Sequence, residues 1–369
     1  MYKPVVHILG LGSMGTLIAS DLLKYNEVTV VPLLRSKEKL SIFSNRYDNT
    51  IRLRKIFLDG SPVQENKLCN SYCPETFKNA GPIENLVITT KTYQTKEALL
   101  PYLPYIKSHT NIILIQNGLG ILELLKEEIF TDSNSRPQLF QGVISHGVYQ
   151  DEGFTYNHAG WVGMKIARLP WENNIVQTNE LLEHDKINNS LVNLLTKEPF
   201  CSKFGIEHLT YQELLLGQLH KFILNCCMNS VTAIMDCVNG EMREYCEPVF
   251  RLIIEESLDI LAQGYPKLFA YDKEFKGKNE YPQLNVNSIL SVDYLVKDII
   301  KIGCVMCAQN STSMRQDTLY LRKTEIDYIN GYLAKLAQKL NLPKNSSKVN
   351  ETIISMVNLR SGLNKDRAS

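Results

Sequence analysis

Apolar positions in the first half of the chain alternate between short β-branched runs and longer stretches with helical spacing. The pattern predicts strands at residues 5–9 and 28–34 and a helix at 14–25 between them. Further strands are expected at 86–90 and 111–116. This order of strand, helix and strand favours a Rossmann-like, doubly wound α/β domain with a parallel sheet.

The pattern changes after Pro170. Before it, β-rich segments at 139–149 and 161–169 are expected to close the first domain or extend its sheet. After it, a polar stretch at 171–189 leads into helical periodicity that continues almost to the C-terminus. We therefore predict an N-terminal domain of residues 1–185 and a C-terminal domain of residues 186–369.

The second domain is predicted to be mainly α-helical. Residues 211–235 form one long, mostly apolar helical pattern, and residues 317–340 form another. Between them, residues 265–287 are rich in Lys, Glu, Tyr, Pro and Asn, which indicates an excursion from the helical core.

Composition and charge narrow the function classes. The 369 residues are 44% apolar and 21% charged, which is typical of a folded globular protein. With 40 Lys and Arg against 39 Asp and Glu, the chain has no strong field for nucleic acid or anionic lipid. No apolar run approaches the ~18 residues of a membrane span. We expect neither a nucleic-acid partner nor a membrane partner.

The first strand begins so early that no secretory or transit segment fits before Val5, so the cytoplasm is the expected location, and a mitochondrial one stays open. The nine cysteines are an odd number on a long chain, which favours reduced thiols. A zinc site formed by two pairs, Cys69 with Cys73 and Cys304 with Cys307, is the weaker interpretation, because CVMC has an apolar helical context. No metal is expected.

A glycine-rich turn, GLGSMG, lies between the first strand and the first helix. Gly10 permits the tight turn, Gly12 lets the backbone approach a pyrophosphate, and Gly15 lets helix and strand pack closely. A turn without a ligand is the alternative. The strand before it and the helix after it favour a dinucleotide site formed by Gly10, Leu11, Gly12, Ser13, Met14 and Gly15.

The end of the second strand carries no acidic residue of the kind that binds the ribose of NAD. Arg35, Ser36 and Lys37 follow Leu34 instead, and a planar guanidinium together with an ammonium suits a 2′-phosphate. Solvated surface charge is the alternative interpretation. We predict NADP (NADPH) as the cofactor.

Lys221, Asn225 and Asn229 are spaced i, i+4, i+8 in the helical segment KFILNCCMN, so they share one face. A partly desolvated lysine has a lowered pKa, which suits proton donation near neutral pH. The alternative to a catalytic role is a structural one, in which the three side chains form a polar stripe along the domain interface and hydrogen-bond to backbone groups. Glu325 could orient Lys221, and Ser313 could bind a substrate oxygen, although an exposed Glu is the common state.

The ordered set of motifs resembles the ketopantoate reductase (2-dehydropantoate 2-reductase) family, of the fungal type, almost from end to end. It comprises GLGSMG, TKTYQT at Lys91, IQNGLG at Asn117, the K-x3-N-x3-N spacing at Lys221, VNGE at Asn239, and SMRQD followed by TEIDYINGY. The resemblance implies a C-terminal domain similar to that of 6-phosphogluconate dehydrogenase. The 265–287 excursion is longer than expected of bacterial members, and Ser313 lies in TSM where the family pattern has SSM.

The resemblance also implies an activity: reduction of ketopantoate to pantoate by NADPH, on the route to pantothenate and coenzyme A. Lys221 would be the general acid, with Glu325 as its partner, as a ligand to the substrate hydroxyl and as a further contact at the cofactor site. The other implied contacts are Arg35, Lys91 and Asn117 with the cofactor, and Asn117, Lys221, Asn225, Asn229, Asn239 and Ser313 with the substrate.

Alternatives remain for parts of this interpretation. His146 and His158 could contact substrate or cofactor, or be hydrogen-bonded structural histidines. A 3-hydroxyacid dehydrogenase is a rival enzyme, but the glycine-rich substrate segment of that family is absent from the sequence. A non-catalytic NADP-binding regulator is the rival of another class. The expected partner is a small 2-keto acid, and the apolar helical domain is compatible with a homodimer.

Overall fold

The computed structural model describes residues 3–172 and 175–368. Contacts within the chain divide it into two units. The first unit contains the chain up to Gln116 and Leu122–Leu214, and the second contains Asn117–Ile121 and the chain from Leu215 onward. The first unit thus extends beyond the boundary predicted at residue 185.

The first unit is α/β in character. Its strands are β1 Val5–Leu9, β2 Thr29–Leu33, β3 Thr50–Lys55, β4 Gln64–Lys67, β5 Asn85–Ile88, β6 Asn111–Ile115, β7 Gln138–Ile144, β8 Gly147–Gln150, β9 Thr155–Gly160, β10 Met164–Arg168 and β11 Ile206–His208. Its helices are α1 Ser13–Tyr25, α2 Lys37–Tyr47, α3 Thr95–Leu99, α4 Ile121–Leu124, whose first residue belongs to the second unit, α5 Glu180–Asn188, α6 Ser190–Thr196 and α7 Phe200–Phe204. Single 3₁₀ turns lie at Phe77–Asn79, Thr92–Gln94 and Ser133–Ser135, a longer 3₁₀ helix at Leu100–Tyr105, and a π-helical turn at Leu125–Ile129.

The main sheet has the strand order β11-β10-β7-β6-β5-β1-β2. From β2 to β7 every pairing is parallel, whereas β10 runs antiparallel to β7. Because β1, β2, β5 and β6 are parallel neighbours, the residues that follow them lie along one edge of the sheet. The doubly wound sheet predicted from the sequence is confirmed.

A second sheet, β4-β3-β9-β8, was not predicted. The segment expected as one β-rich unit at 139–149 divides between the two sheets, with β7 in the main sheet and β8 in the small one. Helix α1 packs against the small sheet through buried residues such as Leu17, Ile18 and Leu22.

Buried amides explain why residues beyond 185 belong to the first unit. The Nδ2 of Asn189 donates to Asn111 Oδ1 at 2.6 Å and to Gln138 Oε1 at 2.8 Å, at the amino ends of β6 and β7. Its Oδ1 accepts from the amides of Leu191 and Val192 and so caps α6. The chain then returns to the sheet as β11, which pairs with β10.

The second unit is helical, as predicted. Its helices are α8 Tyr211–Met235, whose first turn belongs to the first unit, α9 Glu247–Gly264, α10 Pro266–Phe269, α11 Tyr271–Phe275, α12 Val286–Ile289, α13 Val292–Ile299, α14 Ser313–Leu319, α15 Asn330–Lys339 and α16 Lys348–Ala368. Asn239–Met242 and Ile326–Tyr328 are 3₁₀ turns, and Ile300–Met306 is π-helical. Helix α9 packs against α13, α15 and α16.

The polar excursion at 265–287 is ordered. It contains α10 and α11 and leads into α12. The Asp272 carboxylate accepts from the amides of Val286 and Asn287, both at 3.0 Å, and the Tyr271 hydroxyl donates to the Pro282 carbonyl at 3.0 Å. These bonds close the excursion on itself.

The prediction of one continuous helix at 317–340 is wrong. Helix α14 ends at Leu319, Leu321 adopts a left-handed conformation with φ 55°, and α15 begins only at Asn330. The Arg322 amide donates to the Asp317 carbonyl at 2.7 Å, which closes the end of α14. Glu325 consequently lies in a turn between two helices. Across the described residues, no helix is both long enough and apolar enough to cross a bilayer.

Candidate active site

The three glycines of the first turn differ in what surrounds them. Gly10 has φ +105°, and a Cβ there would lie 2.9 Å from the Thr90 amide nitrogen. A Cβ on Gly15 would lie 2.1 Å from the Gly10 carbonyl oxygen, so α1 can pack closely on the turn only with glycine there. Gly12 is exposed, and a Cβ there would meet nothing within 4 Å. The backbone at Gly12 is therefore open to a ligand.

Helix α1 begins at this open position without side-chain compensation. Gly12 is its N-cap and offers no capping oxygen, and the first turn contains no acidic residue. Ser13 and Met14 are partly exposed. The amides and positive dipole end of such a helix form a site for an anion such as a pyrophosphate. Leu11 is buried, and its carbonyl accepts from the Tyr156 hydroxyl at 3.2 Å.

Arg35 stands at the end of β2, the strand beside β1. It is exposed, whereas Leu34 before it is buried. Ser36 is used locally, since its hydroxyl accepts from the Lys39 amide at 3.2 Å and caps α2. Arg35 thus follows its strand at the same sheet edge as the glycine turn.

Lys91 follows β5 at this edge and is partly exposed. The segment around it is held by Gln116, which follows β6. The Gln116 amide donates to the Thr90 carbonyl at 2.7 Å and also bonds the hydroxyl of Thr95. Sequence reasoning did not select Gln116, although its place directly before Asn117 at a strand end is a usable signal.

Helix α8 carries the polar face predicted from its spacing. Asn225 and Asn229 are each 8% exposed, and Lys221 is partly exposed. Loss of hydration around the ammonium lowers the pKa of Lys221 to about 8. An ammonium with this pKa can donate a proton near neutral pH and be reprotonated by solvent.

Glu325 is buried in the turn between α14 and α15, not exposed on a helix surface. The turn is held by the Tyr328 amide, which donates to the Glu325 carbonyl at 2.9 Å. The segment that begins at Asn117 passes beside this turn, because the Leu119 amide donates to the Tyr328 carbonyl at 3.1 Å. Residues some two hundred positions apart are thereby brought together in the second unit.

Asn239 starts a 3₁₀ turn and is buried. Its amide donates to the Asn310 carbonyl at 3.1 Å. Its side-chain Oδ1 is buried and accepts no hydrogen bond from the described residues. A buried oxygen without a donor is costly unless a ligand or water supplies one.

Ser313 is exposed as the first residue of α14. The neighbouring Thr312 has the structural role there: its hydroxyl caps α14 by accepting from the Arg315 amide and lies 2.7 Å from the Thr232 hydroxyl of α8. The start of α14 is thus tied to α8 three residues beyond Asn229. Sequence reasoning missed Thr232, Thr312 and Asn310 as supports of this region.

The predicted site residues thus form two sets. The first unit holds Gly10, Leu11, Gly12, Ser13, Met14, Gly15, Arg35 and Lys91. The second unit holds Asn117, Lys221, Asn225, Asn229, Asn239, Ser313 and Glu325. The first set is suited to a dinucleotide, and the second supplies a proton donor, a carboxylate and amides for a small polar molecule.

Comparison with family models identifies both halves of the chain. The ketopantoate reductase PanE/ApbA model matches residues 6–171, and the model of the C-terminal domain of the same family matches residues 213–361. The chain belongs to the ketopantoate reductase family. This confirms the resemblance and the fold class predicted from the sequence, and it confirms that the chain is an oxidoreductase acting on a CH–OH group.

Individual ketopantoate reductases align over nearly the whole chain. The 2-dehydropantoate 2-reductase of Saccharomyces cerevisiae is 57% identical over 368 residues, covering 100% of this chain and 97% of the relative. A probable 2-dehydropantoate 2-reductase of Schizosaccharomyces pombe is 34% identical and covers 98% of both chains.

Solved structures with lower identity share the fold. The structure of 2-dehydropantoate 2-reductase from Geobacter metallireducens has a TM-score of 0.69 at 16% identity and covers 96% of this chain and 99% of its own. A D-mandelate dehydrogenase solved with NADH and anilino(oxo)acetate has a TM-score of 0.72 at 15% identity, with 98% and 99% coverage.

His146 and His158 have structural partners in this ketopantoate reductase. His146 Nε2 is 2.9 Å from the Phe204 carbonyl oxygen, and His146 Nδ1 accepts from the Val162 amide. His158 Nε2 is 3.0 Å from the Gly160 carbonyl oxygen. These contacts favour the structural interpretation over ligand binding.

The two cysteine pairs considered as zinc ligands lie in different units. Cys69 and Cys73 belong to the first unit, and Cys304 to the second, where its sulfur lies 3.9 Å from the Cys246 sulfur. Among the described residues, no group of three or more His, Cys, Asp and Glu side chains could hold a metal ion. All nine cysteines are free thiols.

Proposed function

We propose that this chain reduces 2-dehydropantoate (ketopantoate) to pantoate with NADPH, a step of pantothenate and coenzyme A synthesis. Family membership over both halves and the 57% identity to the S. cerevisiae 2-dehydropantoate 2-reductase support the reaction. The structural observation that best supports this reaction is the polar face of α8. There, loss of hydration lowers the pKa of Lys221 to about 8, and two buried asparagines share the face.

The residues of the first unit fit NADPH. The open backbone at Gly12 and the uncapped start of α1 would receive the pyrophosphate, and Arg35 would pair with the 2′-phosphate. Lys91 would lie along the cofactor towards the nicotinamide end. When bound, the cofactor supplies a hydride to the 2-keto carbon.

The second unit would handle the substrate and the proton. Lys221 protonates the keto oxygen as negative charge grows there, so a pKa near 8 keeps the acid form available at neutral pH. Glu325 would orient Lys221 and hold the substrate hydroxyl, and it would also contact the cofactor. Asn117, Asn225, Asn229, Asn239 and Ser313 would bind the substrate. The unpaired Oδ1 of buried Asn239 supports its part in this set.

The two rival functions are less well supported. The family that matches both halves of the chain is not that of the 3-hydroxyacid dehydrogenases. A pKa of about 8 for Lys221, beside two buried asparagines on α8, suits catalysis better than a non-catalytic role in NADP binding.

We also propose that the protein is a homodimer and that it is located in the cytoplasm. Met356, Leu359 and Leu363 are exposed on one face of α16, which supports burial against a second copy. Light scattering after size-exclusion chromatography tests the dimer, and imaging of the tagged full-length protein tests the location.

The deciding experiment follows NADPH oxidation by absorbance with ketopantoate, beside pyruvate, 2-ketoisovalerate and no substrate. We expect turnover selective for ketopantoate. Lys221→Ala should lose most of kcat and retain NADPH binding, whereas Lys365→Ala, at an exposed lysine of α16, should behave as wild type. NADPH binding without turnover of any of these keto acids would instead support a non-catalytic, NADP-binding regulatory protein.

A further inference from the structure

The segment from Glu325 to Tyr332 contains the turn before α15 and the first residues of that helix. It contacts two other segments of the second unit that carry predicted site residues. The Tyr328 carbonyl accepts from Leu119, two residues after Asn117. The Tyr332 ring packs edge-on against Phe222 of α8, with centroids 5.9 Å apart. A third contact, to α8, is made by Asn330, which lies between Tyr328 and Tyr332 in the sequence.

Asn330 is fully buried and bonds α8 directly. Its Nδ2 donates to the Cys226 carbonyl at 3.3 Å and to Asn350 Oδ1 at 2.9 Å. Cys226 follows Asn225 and lies five residues after Lys221 on the same continuous helix. The side chain of Asn330 therefore ties the turn that contains Glu325 to the middle of the helix that carries Lys221.

The orientation of the Asn330 amide is set from two further helices. Glu256 of α9 accepts from the Asn350 amide and from Asn350 Nδ2, both at 2.8 Å. Since Asn350 turns its Nδ2 towards Glu256, its Oδ1 faces Asn330 and can only accept. Both Nδ2 protons of Asn330 are thus committed to acceptors, one on α16 and one on α8.

We propose that Asn330 is a positioning residue of the reductase, which fixes α8, and with it Lys221 and Asn225, relative to Glu325. The inference rests on the proposed function. A misplacement of ~1 Å in a catalytic group can reduce the rate about 100-fold. A helix is stiff, so a shift at Cys226 is passed to Lys221.

Asn330→Asp tests the proposal, because it keeps the side-chain volume and removes both donated bonds. The matched control is Asn189→Asp in the first unit. Asn189 is also buried and also donates two bonds from Nδ2, to Asn111 and Gln138, while an aspartate would keep its capping role on α6. The two variants undergo the same chemical change in different surroundings.

For Asn330→Asp we expect kcat with ketopantoate to fall by about 10-fold or more. The basic limb of the kcat–pH profile should also move, because the surroundings of Lys221 set its pKa. The Kd for NADPH, measured by fluorescence, should stay within about two-fold of wild type. Asn189→Asp should lower Tm by a similar amount and leave kcat and the pH profile unchanged.

Equal loss of kcat in the two variants, or an unchanged kcat and pH profile in folded Asn330→Asp, would overturn the proposal. If Asn330→Asp shows no cooperative unfolding, Glu256→Gln decides, since it weakens the orientation of Asn350 from a partly exposed position. A measurable fall in kcat and a displaced pH profile support the positioning role, and wild-type values contradict it. Failure of the proposed function would appear separately, as a wild-type enzyme without ketopantoate turnover.

Discussion

The backbone amide of Leu119 donates a hydrogen bond to the carbonyl of Tyr328 at 3.1 Å. This bond joins the segment after β6 to the turn that contains Glu325. It needs glycine at the adjacent position, because a Cβ on Gly118 would lie 2.3 Å from the same carbonyl oxygen. Residues 117–120 of the motif IQNGLG and the motif TEIDYINGY therefore form one structural feature of the second unit.

Gly118→Ala should destabilise the protein and reduce activity. Gly118 has φ +82°, so alanine is strained there, and its Cβ would also displace the Tyr328 carbonyl. Gly277→Ala is the matched control, since Gly277 has φ +78° and a Cβ there would meet nothing within 4 Å. Urea unfolding should show Gly118→Ala less stable than the control by about 1–3 kcal/mol. Equal stability of the two variants would contradict the close contact.

Arg35→Ala should weaken NADPH selectively. Loss of a charge-assisted hydrogen bond to the 2′-phosphate costs about 1.5–3 kcal/mol, equivalent to about a 10- to 150-fold rise in KM for NADPH. KM for NADH should stay unchanged, because NADH has no 2′-phosphate. Lys37→Ala, at a neighbouring cation, is the control and should have the smaller effect. A parallel rise of KM for both cofactors in Arg35→Ala would argue against the assignment.

The pH dependence of turnover should show the titration of Lys221. Its pKa is about 8, and the protonated form is the acid, so kcat should be highest below pH 8 and fall as the pH rises beyond it. Steady-state rates at saturating ketopantoate and NADPH measure this limb. A flat profile up to about pH 10 would show that Lys221 does not titrate as the proton donor.

Stability should fall on mild acidification because of buried histidines. The pKa of His158 is lowered to about 4: burial is the largest cause, and nearby His146 and Lys55 contribute. In the unfolded chain this histidine has a pKa of about 6.5, so below that pH the unfolded chain binds a proton that the folded chain does not bind. The free energy of unfolding therefore decreases by at most about 1.4 kcal/mol per pH unit for this group as the pH falls from about 6.5 towards 4.

His158→Gln should flatten this decrease. Glutamine can still donate to the Gly160 carbonyl and does not titrate. Urea midpoints at about pH 7, 6 and 5 measure the slope, and His109→Gln at an exposed histidine is the control. If His158→Gln and wild type show the same slope, His158 is not an acid-sensitive group.

The sequence predicted the parallel sheet well because buried strands there are continuous β-branched runs that end in glycine or polar residues. It did not predict β3 and β4, since TIRLRK and QENK carry charges that suit a partly exposed sheet and resemble loop or helix sequence. The predicted domain boundary at residue 185 rests on the polar stretch at 171–189, which resembles a linker. Its Asn189 is in fact a buried cap held by strand ends.

The sequence predicted which residues belong to the candidate site. It could not predict how they are arranged, because their arrangement depends on tertiary contacts. Helical spacing alone placed Lys221, Asn225 and Asn229 on one face of α8. The same periodicity misplaced Glu325, because apolar positions on both sides of the α14–α15 turn imitate a single helix. The left-handed Leu321 and the bond from the Arg322 amide to the Asp317 carbonyl mark the break in the structure.

The chain passes from the first unit to the second at residue 117, returns after 121, and leaves again at 215. No single cut can therefore produce two complete halves. A recombinant fragment that starts at residue 215 would lack the peptide that pairs with the Tyr328 carbonyl and that places Gly120 against the Tyr332 ring. Fragment expression or domain exchange should succeed only when residues 117–121 are resupplied, as a linked or added peptide.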